Sequence, residues 1–180
     1  KSINYTILDR VSIIYEDAFA NCSALENLNI PNSVLHINDT SFSGCKSLKC
    51  INIEDGTSYY KSIDGVLFDN RLNTLIRFPY NYEDKTYKIP EGIKHIESNA
   101  FADCINLKSV DIPQSIHNIP TGTFSGCKNL DIIDLPDSIT LIDTSAFENC
   151  TALTSIDLSR KLTYIGKDAF KGCTSLKYIY

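Results

Sequence analysis

The chain has 180 residues, 43% of them hydrophobic, and a formal net charge of −5, so it is long enough to bury a sizeable core and carries no positive excess. It contains no run of lysine or arginine, which argues against nucleic acid as a partner because attraction to phosphate dominates that binding. No apolar stretch approaches the ~18 to 20 residues that cross a bilayer, and the amino terminus lacks the basic-then-apolar layout of a signal peptide; the chain opens at Lys1, so an earlier leader is compatible with it.

Residues 5 to 14 read as the second half of a repeated coil, since Tyr5, Ile7, Val11 and Ile14 stand 23 positions before Leu28, Ile30, Val34 and Ile37. The first full unit, Ile14 to His36, supplies the template Ile-x-x-x-Ala-Phe-x-x-Cys-x-x-Leu-x-x-Leu-x-Ile-Pro-x-Ser-Val. Its Leu28-x-Ile30 segment alternates as a half-buried strand does, with Pro31 as its end. The Asp17-to-Cys22 segment predicts a helical turn or two, too short to stand alone. The second unit, Ile37 to Tyr59, keeps Phe42, Cys45, Leu48, Ile51 and Ile53 but places Glu54 where the proline stood.

The pattern then changes. An irregular unit at about 60–86 contains Val66-Leu67-Phe68 and Leu75-Ile76-Arg77-Phe78, separated by mostly polar residues. This predicts a β-hairpin in place of one Phe–Cys turn. Tyr87, Ile89, Pro90, Ile93 and Ile96 restore the phase, complete units begin at Ile96, Ile119 and Ile142, and a last one begins at Ile165 and stops at Tyr180. An array entered mid-repeat and left inside a strand reads as a piece of a longer protein, because solenoid ends are ordinarily covered.

Across these units Phe and Cys recur three apart, at Phe19/Cys22, Phe42/Cys45, Phe101/Cys104, Phe124/Cys127, Phe147/Cys150 and Phe170/Cys173. Successive phenylalanines are 23 apart except for one gap of 59, which is two periods plus 13. A fixed period of this length is the mark of a solenoid whose units bury their apolar sides against their neighbours. Six of the seven cysteines share one phase. Equivalent side chains in a stack point the same way, so these are expected to be free, buried thiols rather than disulfides. No Cys-x-x-Cys or nearby histidine pair supplies metal ligands.

The residues resemble the BspA-like leucine-rich repeats, whose units carry Ala-Phe-x-x-Cys-x-x-Leu followed by Ile-x-Ile-Pro-x-Ser-[Val/Ile]. The pattern is seen in Ala18-Phe19-Ala20-Asn21-Cys22-Ser23-Ala24-Leu25 and in Ile112-Pro113-Gln114-Ser115-Ile116, and Ser62-Ile63-Asp64-Gly65-Val66-Leu67-Phe68 looks like a variant unit of the same class. Ser41 and Thr123 replace the alanine, and Glu54 and Ser159 the proline. The resemblance implies a leucine-rich repeat right-handed solenoid, mainly β with short helical turns. It also implies an extracellular or cell-surface adhesion or protein-binding module whose partner is a protein or glycan. It carries no catalytic residues and no cofactor.

On the strands, core positions alternate with an outward ladder of Asn29, Asn52, Asp111, Asp134 and Asp157. Stacked aspartates repel, so this ladder fits either a solvated polar face or a bound calcium, which takes carboxylate oxygens. The flanking column varies in type: Asn27, Cys50, Ser109, Ile132, Ser155 and Tyr178. Repeated core phases beside freely varied outward ones are how repeat proteins build binding surfaces. Aromatics gather in the irregular unit, where Tyr80 and Tyr82 suit either an interface or local packing. The candidate partner-binding residues are therefore Asn27, Asn29, Asn52, Ser109, Asp111, Ile132, Asp134, Ser155, Asp157, Tyr80 and Tyr82; a structural spacer in a larger surface protein is the alternative function. His36, His95 and His117 lack a nucleophile partner, and an enzyme is not expected. Sequons at Asn4, Asn21, Asn38 and Asn149 would permit glycosylation in a eukaryotic secretory pathway.

Overall fold

The computed structural model of the chain describes residues 3–54, 56 and 59–180. Positions 55, 57 and 58, at the end of the second sequence unit, lie outside the described residues. The chain winds as a β-solenoid with neighbouring coils joined in parallel register. One strand ladder pairs Ile3–Thr6, Leu25–Ile30 and Cys50–Ile53, and the same position beyond the insertion pairs Thr86–Lys88, Ser109–Asp111 and Ile132–Asp134. Ser155–Ile156 and Tyr178–Ile179 continue it. Leu28 lies opposite Ile51, Val110 opposite Ile133 and Ile156 opposite Ile179, so the 23-residue period is also the pairing register. A second ladder of short strands joins Ile13–Ile14 to His36–Ile37, Thr74–Arg77 to His95–Ile96, and Asn118–Ile119 through Leu141–Ile142 to Tyr164–Ile165.

The Phe–Cys turns form a third set of inter-coil bonds without being strands. Phe19 N donates to Ser41 O at 2.9 Å, Phe101 N to Thr123 O at 2.9 Å and Phe147 N to Ala169 O at 2.8 Å. No helix occurs among the described residues, which corrects the helical turn expected over Asp17–Cys22. The reason is conformational. The residue two after each regular phenylalanine is left-handed, with φ of 60° at Asn21, 58° at Asp103, 75° at Gly126 and 60° at Asn149. A helix cannot continue through such a residue, and amides that it would use internally bond to the next coil instead.

Side chains of the template complete the coil-to-coil bonding. Cys45 Sγ donates to Phe19 O at 3.0 Å, Cys127 Sγ to Phe101 O at 3.0 Å and Cys150 Sγ to Phe124 O at 3.1 Å. The serine after the proline does the same on another side of the coil: Ser33 Oγ reaches Val11 O at 2.7 Å and Ser138 Oγ reaches Ile116 O at 2.6 Å. Departures from the template keep these bonds satisfied. Ser41 Oγ donates to Tyr15 O at 3.0 Å, and Ser159, in the proline place, donates to Asp137 O at 2.9 Å while Leu162 N closes its turn at 2.9 Å. A buried hydroxyl is tolerated only with such a partner.

The phenylalanines stack through the centre, with ring centroids 5.1 Å apart for Phe101–Phe124, 5.3 Å for Phe124–Phe147 and 5.4 Å for Phe147–Phe170. Each fully buried ring contributes on the order of 2 to 3 kcal/mol by burial. The core nevertheless falls into two clusters. One holds Ile7 to Ile51 with Leu67 and Tyr80, and the other runs from Val66 and Phe68 to Ala169.

The irregular unit joins them. Val66–Asp69 runs antiparallel to both Tyr60–Ile63 and Thr74–Arg77. Asp64 and Gly65, both at positive φ (51° and 78°), make the two-residue turn between the first two strands, a combination that favours tight hairpins. The Tyr60–Ile63 strand is absent from the sequence reading, although Asp-Gly between apolar runs signals it. Leu67 enters one cluster while Val66 and Phe68 enter the other, so this strand is buried on both faces. Phe78 stacks on Phe101 at 4.9 Å and thus keeps the phenylalanine phase inside the insertion.

Candidate functional site

Alternation along the first ladder sends Leu28, Ile51, Val110 and Ile133 inward and leaves the intervening residues outward. Before the insertion the outward side chains bond to one another. Asn27 Nδ2 donates to Asn4 Oδ1 at 2.7 Å, Asn52 Nδ2 to Asn29 Oδ1 at 2.9 Å, and Asn29 Nδ2 to Thr6 Oγ1 at 3.0 Å. An amide both donates and accepts, so a column of them satisfies itself. Lys49 and Glu26 pair alongside at 3.1 Å.

After the insertion the same two columns read Ser109, Ile132, Ser155 and Asp111, Asp134, Asp157. Asp111 lies opposite Asp134, and Asp134 opposite Asp157. Lys88 Nζ is 3.5 Å from Asp111. Ile132 is 58% exposed despite its apolar side chain. Among the described residues no group of three histidine, cysteine or acidic side chains could hold a metal ion.

The candidates therefore divide. Asn27, Asn29 and Asn52 lie together on one ladder, and Ser109, Asp111, Ile132, Asp134, Ser155 and Asp157 lie together on the other. Beside the first group is a cleft of about 370 Å³ whose walls include Asn27, Cys50, Asp64, Tyr82 and Asp84. Tyr80 does not belong to this surface: it is 4% exposed, its hydroxyl accepts the Gly44 amide at 3.1 Å, and its ring carries the Arg77 guanidinium at 4.3 Å. Tyr82 is half-buried, packing on Phe78 at 4.7 Å and presenting only part of itself to the cleft. Local bulk in a unit without the Phe–Cys core accounts for both.

Two residues of note lie outside the candidate set. Arg77 is buried, and its guanidinium donates to Asn99 O and, at 3.3 Å, to Ala102 O. In regular coils the equivalent carbonyl accepts a backbone amide, as when Asp103 N reaches Ser125 O at 2.7 Å. Here the residue two after the phenylalanine is Tyr80 in place of the usual Asn, Asp or Gly, and Arg77 supplies the donor instead. Cys50 is the cysteine outside the core phase; it is half-buried at the cleft, and burial raises its thiol pKa. The four fully buried cysteines are free thiols, as are exposed Cys22 and half-buried Cys173. Burial pushes Cys104 up to about 12 and Cys127 well above its ordinary range, so both stay protonated donors near neutrality. The three histidines are exposed and separate from the cleft.

Comparison with known proteins agrees with this architecture. The pattern of the BspA type leucine rich repeat region matches residues 1–85 and 77–180, in six copies. No curated protein matches the chain. Among solved structures, the pneumococcal vaccine antigen PcpA is 32% identical with a TM-score of 0.89, the match covering 94% of this chain and 42% of that one. A leucine rich cell surface protein from Faecalibacterium prausnitzii is 28% identical with a TM-score of 0.72, over 97% of this chain and 58% of its own. A leucine-rich repeat protein from Eubacterium ventriosum, at 22% identity and a TM-score of 0.84, shares the fold over 98% of this chain and 54% of its own. The chain thus spans about half the length of these solved relatives. Repeat pattern, coil register and likeness over the whole length lead to one assignment: this chain belongs to the BspA type leucine-rich repeat family.

Proposed function

We propose that the chain is a protein-binding or adhesive repeat module of a cell-surface protein, presenting the outer face of its first strand ladder to a protein or glycan. The observation that carries this reading is the contrast between columns. Phe, Cys and Leu recur inward at fixed phase, while the outward column runs Asn27, Cys50, Ser109, Ile132, Ser155, Tyr178. A rigid stack with varied outward residues is a binding frame. No residue in it is assigned a catalytic role. The alternative, a spacer that carries recognition units elsewhere, is favoured by the asparagine column, whose amides are partly consumed by bonding to one another.

Purified matrix proteins and a glycan array provide the test, read by biolayer interferometry. Saturable binding is expected, weakened about tenfold by Ile132→Arg, as truncating or reversing an anchor near the centre of an interface does. Leu35→Arg, which alters an exposed apolar residue beside the second ladder, leaves it unchanged. Absence of saturable binding across the panel would favour the spacer.

A further inference from the structure

The outer faces of the two halves of the first ladder differ in a way that identifies a kind of partner. Asn52, Asn29 and Thr6 satisfy one another through hydrogen bonds of 2.9 and 3.0 Å. Asp111, Asp134 and Asp157 occupy the same column beyond the insertion, directly opposite on neighbouring parallel strands. Carboxylates on strands about 4.8 Å apart can only accept, so no hydrogen bond links them, and like charges facing each other repel. Lys88 relieves Asp111, but among the described residues no ion pair reaches Asp134 or Asp157. Ile132 stands exposed two residues before Asp134 on the same outward face. This uncovered sheet face therefore combines an apolar centre with two carboxylates, Asp134 and Asp157, that no ion pair neutralises among the described residues.

We propose that it docks a basic segment of a protein partner, with lysine or arginine side chains neutralising Asp134 and Asp157 and an apolar side chain covering Ile132. The inference rests on the binding-module reading and commits it to charge complementarity, which supplies specificity and rapid association. A mobile inorganic cation is the poorer occupant, because no group of three acidic or metal-ligating side chains converges among the described residues.

Fluorescence anisotropy with a labelled decapeptide of alternating arginine and leucine tests the proposal, with the glutamate–leucine counterpart as control. The basic peptide is expected to bind saturably and the acidic one not at all. Asp111→Asn/Asp134→Asn/Asp157→Asn should weaken binding about tenfold or more, and it should melt no lower than the parent, since repulsion is removed. Glu16→Gln/Asp39→Asn/Glu97→Gln changes net charge equally at exposed positions that follow strands of the second ladder, off this face, and should leave binding intact. Equal losses in the two triple variants, or no saturable binding of the basic peptide, would overturn the proposal. If the peptide fails while a matrix protein or glycan still binds in an Ile132-dependent manner, the module reading stands and only the basic partner falls.

Discussion

At the scale of single residues, the coil interface is governed by complementarity between adjacent turns. Asn21, Asp103 and Asn149 lay their side-chain oxygens where a Cβ on Gly44, Gly126 and Gly172 of the following coil would stand. Both members of each pair are left-handed, with Gly44, Gly126 and Gly172 at φ 72°, 75° and 76°. Gly126→Ala therefore meets two penalties: a left-handed conformation costing about 1 to 2 kcal/mol for a residue with a Cβ, and collision with Asp103 Oδ1. Urea denaturation should show a loss exceeding the first alone, partly recovered when Asp103→Gly is added. The thiols give a pH signature. The Cys104 pKa rises from 9.0 to about 12 through burial, so the stability linked to its proton is complete below pH 9 and is lost as pH climbs toward 12. Each such thiol adds a slope of about 1.4 kcal/mol per pH unit in that window. Denaturation midpoints between pH 8 and 11 should fall less steeply for Cys104→Ser than for the parent protein.

At the scale of elements, stability resides in the inward columns, and the proposed recognition is assigned to the outward ones. Phe124 is fully buried and sandwiched between Phe101 and Phe147, so Phe124→Ala should cost roughly 3 to 5 kcal/mol. Asp134→Ala, on the exposed face, should change stability little or raise it slightly, because a repelling neighbour is removed. Equal losses in chemical denaturation would contradict the assignment of faces. Much of this was legible beforehand: Phe, Cys and Leu each hold a single phase, and a buried column admits few substitutes. The turn conformation was harder to read. Asp17–Cys22 has the spacing of a helical turn, but the Asn, Asp or Gly two residues after each regular phenylalanine marks a left-handed position that periodicity of apolar residues does not register.

At the scale of the whole molecule, the insertion divides the core and fastens its halves. Leu67 faces the cluster of the first coils, and Val66 and Phe68 face the second, so this strand, together with Tyr80, carries the contact between the two stacks. In a solenoid, stability is the sum of repeat terms and nearest-neighbour interfaces, and the weakest interface sets where the array comes apart. Leu67→Ala should therefore let the stretch before the insertion open independently. In native-state hydrogen exchange, amides of Leu28 and Ile51 should then exchange faster, with those of Phe124 and Phe147 unchanged. Uniform acceleration across both halves would show a single cooperative unit instead.

The amino-acid sequence determined by itself the period, the coil register and the inward columns. Each of these follows from one rule repeated in every unit, that an apolar side must meet its counterpart 23 residues away. Tertiary structure alone decided how the outward ladder is divided and what the irregular unit buries. The insertion separates the self-satisfied asparagine column from the aspartate column, draws Tyr80 into the core, and places Cys50 beside Asp64 and Tyr82 in one cleft. Those outcomes depend on how a single irregular unit packs between two regular stacks, and a packing that occurs once leaves no period in the sequence to read.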